Sequence, residues 1–233
     1  MTRSEINMPR LQLQPSIMHF VSASSQNLKI GYVGSSNKLD GLSALTMVIR
    51  LKINAAVNGG IYFSAPYDGT QAMVAIKNTN NTNQTIRINF RAGGTAVNYD
   101  VSNFTYALST VYTMAIRYNG SLLEFWVDGH KYDSRAATGA FGTSDDTKSW
   151  GVIYGGNSNG TADMDAIFAR AWNTALTDPQ LYQAMLGTYT TGAILNLPFM
   201  EGAGTPVETA NGATVTLSGF PTWISYQART AVS

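Results

Sequence analysis

The 233-residue chain contains no cysteine, so a disulfide scaffold and a thiolate metal site are both excluded, and stability has to come from packing and partners. Charge is scarce: Asp, Glu, Lys and Arg make up 12% of the residues, about half the usual ~25%. Asn, Thr, Ser and Gly take their place, as on solvent-facing strands and loops. Net charge is +1 with no long run of either sign, which argues against nucleic-acid binding, since that relies on clustered Lys and Arg. No apolar stretch is long enough to span a membrane. Met1–Met18 carries Arg3, Glu5 and Arg10 and lacks the continuous apolar segment of a signal peptide. Synthesis and assembly in the cytoplasm of the producing cell are therefore expected.

Catalytic residue types are equally thin. The two histidines, His19 and His130, stand in no nucleophile motif, and a zinc site is not expected for the same reason. Gly155-Gly156 precedes no helix of the kind a phosphate loop needs. The chain is read as non-enzymatic.

What is present is alternation. Met47, Ile49, Leu51 and Ile53 oppose Thr46, Val48, Arg50 and Lys52, the period of a strand with one wet face. Ile86, Ile88 and Phe90 oppose Arg87, Asn89 and Arg91; Tyr112, Met114, Ile116 and Tyr118 oppose Thr113, Ala115 and Arg117. Shorter strands are expected at 19–21, 28–30, 61–63, 73–76 and 150–154. The polar run Asn78–Asn83 predicts a turn and a poor core. Asn119-Gly120 predicts a two-residue hairpin, and Asp128-Gly129 a second tight turn that takes in His130. One short helix is expected over 176–187: Thr177 as N-cap, Asp178 and Pro179 in the first turn, Gly187 at the end, with Leu181, Met185 and Tyr182 facing the sandwich.

The stretch Gly155-Gly156-Asn157, then Asp163-Met164-Asp165-Ala166-Ile167-Phe168-Ala169-Arg170-Ala171-Trp172-Asn173-Thr174-Ala175-Leu176-Thr177-Asp178, reads as loop, apolar strand and turn into a helix. Together with Phe125-Trp126-Val127-Asp128-Gly129, it resembles the laminin-G-like branch of the concanavalin A-like lectin/glucanase superfamily. The resemblance implies an all-β fold, a two-sheet antiparallel β-sandwich of jelly-roll type with one short helix. Residues 1–17, with Pro9 and Pro15, read as an extended arm; 18–225 as the sandwich; 193–225 as extra C-terminal strands; and 226–233 as a tail. Ile194–Thr205 and Leu217–Trp223 look like the opening of such a domain placed at its end. They either close the sandwich, as in a permuted version, or add an edge hairpin.

Glucanases of the superfamily carry Glu-x-Asp-x-x-Glu on one strand, and glycosidases need two carboxyls about 5–10 Å apart. This chain has four Glu, at 5, 124, 201 and 208, none in that spacing. A non-catalytic glycan platform is read at Trp126, Glu124, Asp128, Tyr132 and Trp150, with Tyr67, Tyr99 and Tyr106 as further aromatic candidates. Calcium is the one ion considered, with Asp145, Asp146, Asp163 and Asp165 as hard oxygen ligands; no other cofactor is expected.

Two functions compete. The first is a structural protein of a virus particle, made in the host cytoplasm. It would decorate or cement a phage capsid, or form a surface attachment, as a homo-oligomer. Its terminal arms would bind the major capsid protein or neighbouring subunits. The second is a carbohydrate-binding or adhesion module of lectin type.

Overall fold

The alternating segments pair into two antiparallel sheets in the computed structural model, which describes residues 16–21, 26–31, 41–67, 72–80, 82–142, 151–154, 162–219 and 221–225. In chain order the strands are β1 (Ser16–Phe20), β2 (Asn27–Ile30), β3 (Leu45–Ala55), β4 (Ile61–Tyr67), β5 (Ala72–Asn80), β6 (Thr85–Ala92), β7 (Thr95–Thr105) and β8 (Val111–Tyr118). They continue as β9 (Leu122–Val127), β10 (His130–Ala136), β11 (Gly151–Tyr154), β12 (Asp163–Trp172), the helix α1 (Asp178–Met185), β13 (Leu195–Leu197), β14 (Val215–Ser218) and β15 (Thr222–Ser225). Sheet A runs β10-β9-β8-β3-β12-β1-β15, with β13 also on β12; sheet B runs β14-β2-β11-β4-β5-β6-β7. This is the two-sheet sandwich with one short helix that the sequence implies.

The core between the sheets follows the period of two. Met47, Ile49, Leu51 and Ile53 are fully buried, as are Ile86, Ile88, Met114, Ile116 and Tyr118. Each such side chain contributes about 1.5–3 kcal/mol by leaving water. A second apolar cluster lies on the outer side of sheet A, where Leu181, Ala184 and Met185 of α1 cover Val48, Ala115, Phe168 and Trp172. Val48 is therefore buried on the face its alternation marks as wet. Tyr182, expected to face the sandwich, is 54% exposed, because Leu181, Ala184 and Met185 already form the buried stripe of so short a helix.

Several local expectations change. Asn119-Gly120 is not a two-residue hairpin: Tyr118 pairs with Leu123, and 119–121 lie between β8 and β9. Asn119 Oδ1 instead accepts the Ser121 and Leu122 N–H at 3.1 and 2.9 Å. Asp128-Gly129 is the two-residue turn, with Val127 paired to His130 and φ of +48° and +83°. His130 thus begins a strand. β5 runs into the expected turn as far as Asn80. Asn78 is buried there because its Nδ2 donates to Val57 O at 2.9 Å and its backbone bonds Gly59 and Gly60.

Both ends of the described chain close the sheets. The first strand begins at Ser16, inside the segment read as arm, because Ile17 pairs with Ile224 of β15. β14 pairs with β2, and β13 lies beside the C-terminal half of β12, whose N-terminal half pairs with β1. Leu195, Leu197 and Phe199 are fully buried. The C-terminal piece therefore belongs to both sheets. Residues 1–15 and the tail 226–233 lie outside the described residues.

Candidate functional site

The residues read from the sequence as a glycan platform divide between two sides of sheet A. Glu124 and Trp126 alternate with the buried Leu123, Phe125 and Val127 and so face outward, toward α1. Glu124 is only 5% exposed. Its Oε2 accepts from Arg117 Nε at 2.6 Å, and its Oε1 lies 3.1 Å from Lys131 Nζ. Arg117 continues to Asp178 Oδ1 at 2.6 Å and to Leu176 O at 2.9 Å. Arg117 and Lys131 sit 5.2 and 5.7 Å from the half-buried Trp126 ring, within cation–π reach. The group ties the start of α1 to the sheet. Asp128 spends Oδ1 on the Thr113 N–H at 2.7 Å. Tyr132 sits at the bulge in β10 and packs on Phe104 of the inner core at 4.9 Å, so the structure does not bring it to Trp126. Tyr106 is buried edge-on against Tyr62, and Tyr99 packs against the core beneath Arg135. Trp150, Asp145 and Asp146 lie outside the described residues, as does the side chain of Tyr67.

Of the calcium candidates, Asp165 is fully buried. Its Oδ1 lies 2.5 Å from His19 Nδ1 and accepts from Asn54 Nδ2 at 2.9 Å, while Lys52 Nζ stands 2.5 Å from Oδ2. Burial pushes this carboxyl up, but the hydrogen bonds from Lys52, His19 and Asn54 outweigh it and hold the group below its ordinary value. A cation at Asp165 would meet the Lys52 ammonium, so this carboxylate is already committed to an ion pair. Among the described residues no three His, Asp or Glu side chains gather as metal ligands.

The opposite face, the outer side of sheet B, is built differently. One register row crosses all seven strands: Thr216, Lys29, Val152, Ser64, Ala75, Asn89 and Asn98. Its centre is closed, with Ser64 and Ala75 at 5% and 1% exposure. Toward the edge it opens through half-buried Asn89 to exposed Asn98. The next row sets Lys77 opposite Arg87 and Arg87 opposite Asp100. Arg87 grips Asp100 with Nε–Oδ1 at 2.7 Å and Nη2–Oδ2 at 3.0 Å, and Thr79 Oγ1 donates to Oδ1 at 3.2 Å. The Arg87 bonds hold the Asp100 carboxyl below its usual range. Burial, and then Arg87, push the Lys77 ammonium down against the pull of Asp100. The Asn89 and Asn27 Oδ1 atoms are buried without a hydrogen-bond partner among the described residues, although buried polar groups are ordinarily satisfied.

Sequence reasoning singled out none of Lys77, Asn89, Asn98 and Asp100 as a site. The alternation of β6 marks Arg87, Asn89 and Arg91 as outward. Which strands stand beside them is a property of sheet order alone.

No family model matches the chain, and no curated protein matches it by sequence. Solved structures do. A Bacteroides ovatus protein to which carbohydrate binding is attributed superposes with a TM-score of 0.70 at 17% identity over 92% of this chain. The chain spans 60% of that protein's length. A heptameric SAP-like pentraxin from Limulus polyphemus gives a TM-score of 0.59 at 13% identity, covering 89% of this chain and 96% of the pentraxin. The binding domain of Paraclostridial Mosquitocidal Protein 1 gives 0.52 at 13% identity, over 68% of this chain and 42% of that one. At such identities the likeness speaks for the fold alone: an antiparallel β-sandwich of jelly-roll type.

Proposed function

We propose that the protein is a non-catalytic carbohydrate-binding module of lectin type, and that its saccharide lies on the outer face of sheet B along β6 and β7. The observation that carries this reading is the buried, unpartnered Asn89 amide oxygen, placed where the row opens from Ala75 to Asn98. An orphaned buried acceptor costs about 1–3 kcal/mol, and a sugar hydroxyl is a donor of the size and reach to satisfy it. Asn98, Lys77, Arg87 and Asp100 offer further donors and acceptors around it. The carbohydrate binding attributed to the Bacteroides ovatus protein supports the same reading.

Reading the module as non-catalytic is supported by two carboxylates that are already engaged. Glu124 is held by Arg117 and Lys131, and Asp100 by Arg87, which leaves neither disposed as a general acid. No observation speaks for the virus-particle role or for capsid partners. Among the described residues no helix is long and apolar enough to cross a membrane.

The test is a glycan array followed by calorimetric titration of the best binder against the wild type and Asn89→Ala. Asn89→Ala is expected to weaken binding by about tenfold, equivalent to ~1.4 kcal/mol. Unchanged affinity would move the site off this face, and an array without any binder would remove the reading.

A further inference from the structure

The carbohydrate reading leaves the class of saccharide open, and the charge of sheet B bears on it. Its seven strands contain one carboxylate, Asp100, against Lys29, Lys77, Arg87 and Arg91. The chain as a whole is nearly balanced, at +1. On the helix side Arg117 and Lys131 are matched by Glu124 and Asp178, and Lys52 by Asp165, while Arg50 and Arg170 have buried guanidinium nitrogens and no carboxylate partner among the described residues, Arg170 donating Nε to Asn196 Oδ1. On sheet B the single carboxylate is already spanned by both prongs of Arg87. Lys77 stands directly opposite that arginine without an ion-pair partner among the described residues.

We infer that the ligand is an acidic saccharide, bearing carboxylate or sulfate, whose anionic group is received by Lys77 beside Asn89; this rests on the carbohydrate reading above. Lys77 and Asn89 lie on adjacent strands, two residues apart in register, because Ala75 pairs with Asn89 and Lys77 with Arg87. The separation is about 7–8 Å between such diagonal neighbours, the scale of one sugar ring. A hydroxyl of the ring can donate to Asn89 Oδ1 while its acidic substituent reaches the ammonium. Burial and Arg87 both disfavour the charge on Lys77, and an incoming anion relieves both. The two anions share this chemistry, so the experiment separates them. Nucleic acid is the less suitable polyanion, because tight binding usually takes six or more phosphate contacts (~6–10).

The experiment presents matched sets of saccharides, each in neutral, uronate and sulfated form, to the wild type, Lys77→Gln, Lys77→Arg and Lys29→Gln. Affinities are read at low and high salt, with thermal melts as the control for folding. The expected result is an acidic form bound at least about tenfold more tightly than its neutral counterpart. That preference should fall to near unity in Lys77→Gln, survive in Lys77→Arg and Lys29→Gln, and weaken with salt. Whether uronate or sulfate leads identifies the anion. Equal binding of neutral and acidic forms overturns the inference and leaves the carbohydrate reading standing. No binding by any set overturns both. An acidic preference that persists in Lys77→Gln overturns the assignment of Lys77, and equal binding of a DNA oligonucleotide of the same charge overturns the saccharide class.

Discussion

Replacing Asp165 by Asn keeps the shape of the side chain and removes its charge, which makes the size of the loss a test of how the outer face of sheet A is held. The carboxylate is fully buried and receives His19, Asn54 and Lys52. Removing one partner of a buried ion pair costs about 3–5 kcal/mol when the other charge is stranded. Here the side chains of Lys52 and His19 remain 33% and 27% exposed and regain water, so the loss reduces to about 2 kcal/mol. For a domain of this length that is a fall in Tm of about 4–8 °C. The effect has a definite pH dependence. The folded carboxyl titrates below its unfolded value of about 3.9. Its stabilisation is therefore complete above that pH and is lost as pH falls through the folded value. Urea unfolding of both proteins from pH 7 downward should give a difference that is constant near neutrality and shrinks in acid. A difference under about 0.5 kcal/mol at pH 7, or one that does not shrink in acid, would refute the reasoning.

Three further outcomes are expected. Glu208 is 3% exposed and accepts from the backbone N–H groups of Asn196, Ala210, Asn211 and Ala213; Glu208→Ala strands them and should cost about 2–4 kcal/mol in chemical denaturation. Gly139 has φ +106°, and a Cβ there would stand 2.5 Å from Gly93 Cα; Gly139→Ala should lower stability by about 1–3 kcal/mol, and a variant as stable as the wild type would count against the close crossing of these two loops. Trp126→Ala should leave saccharide affinity within about twofold of the wild type, because the proposed site lies on the other sheet. A loss of tenfold or more, ~1.4 kcal/mol, would return the site to the helix side.

How far the sequence speaks depends on the range of the interaction. β3, β6, β8 and β9 are legible because alternation is a contact between a strand and water on one side and core on the other, repeated every second residue. α1 is legible from Thr177, Pro179 and Gly187, whose effects stay within a turn. Asn119 misleads because its side chain and its backbone offer competing ways to make a turn, and neighbours decide between them. In the sequence Glu208 has no marked role and Asp165 reads as a calcium ligand. Three of the N–H groups that claim Glu208 lie within five residues of it, in a loop whose path no periodicity marks, whereas His19, Lys52 and Asn54 reach Asp165 from strands far along the chain.

The sequence by itself determined an all-β chain with a single short helix and no disulfide, since these follow from residue types and local periodicity. Sheet order was decided only in three dimensions. That order places β14 and β15 at the ends of the two sheets, hides Val48 beneath α1, pairs Asp165 with Lys52, and sets Lys77, Asn89 and Asp100 together on one open edge. The physical reason is that strand pairing satisfies any backbone equally well. Which strand lies beside which is selected by the packing of the whole core, and the polar residues on the outer faces are carried to their neighbours by that choice.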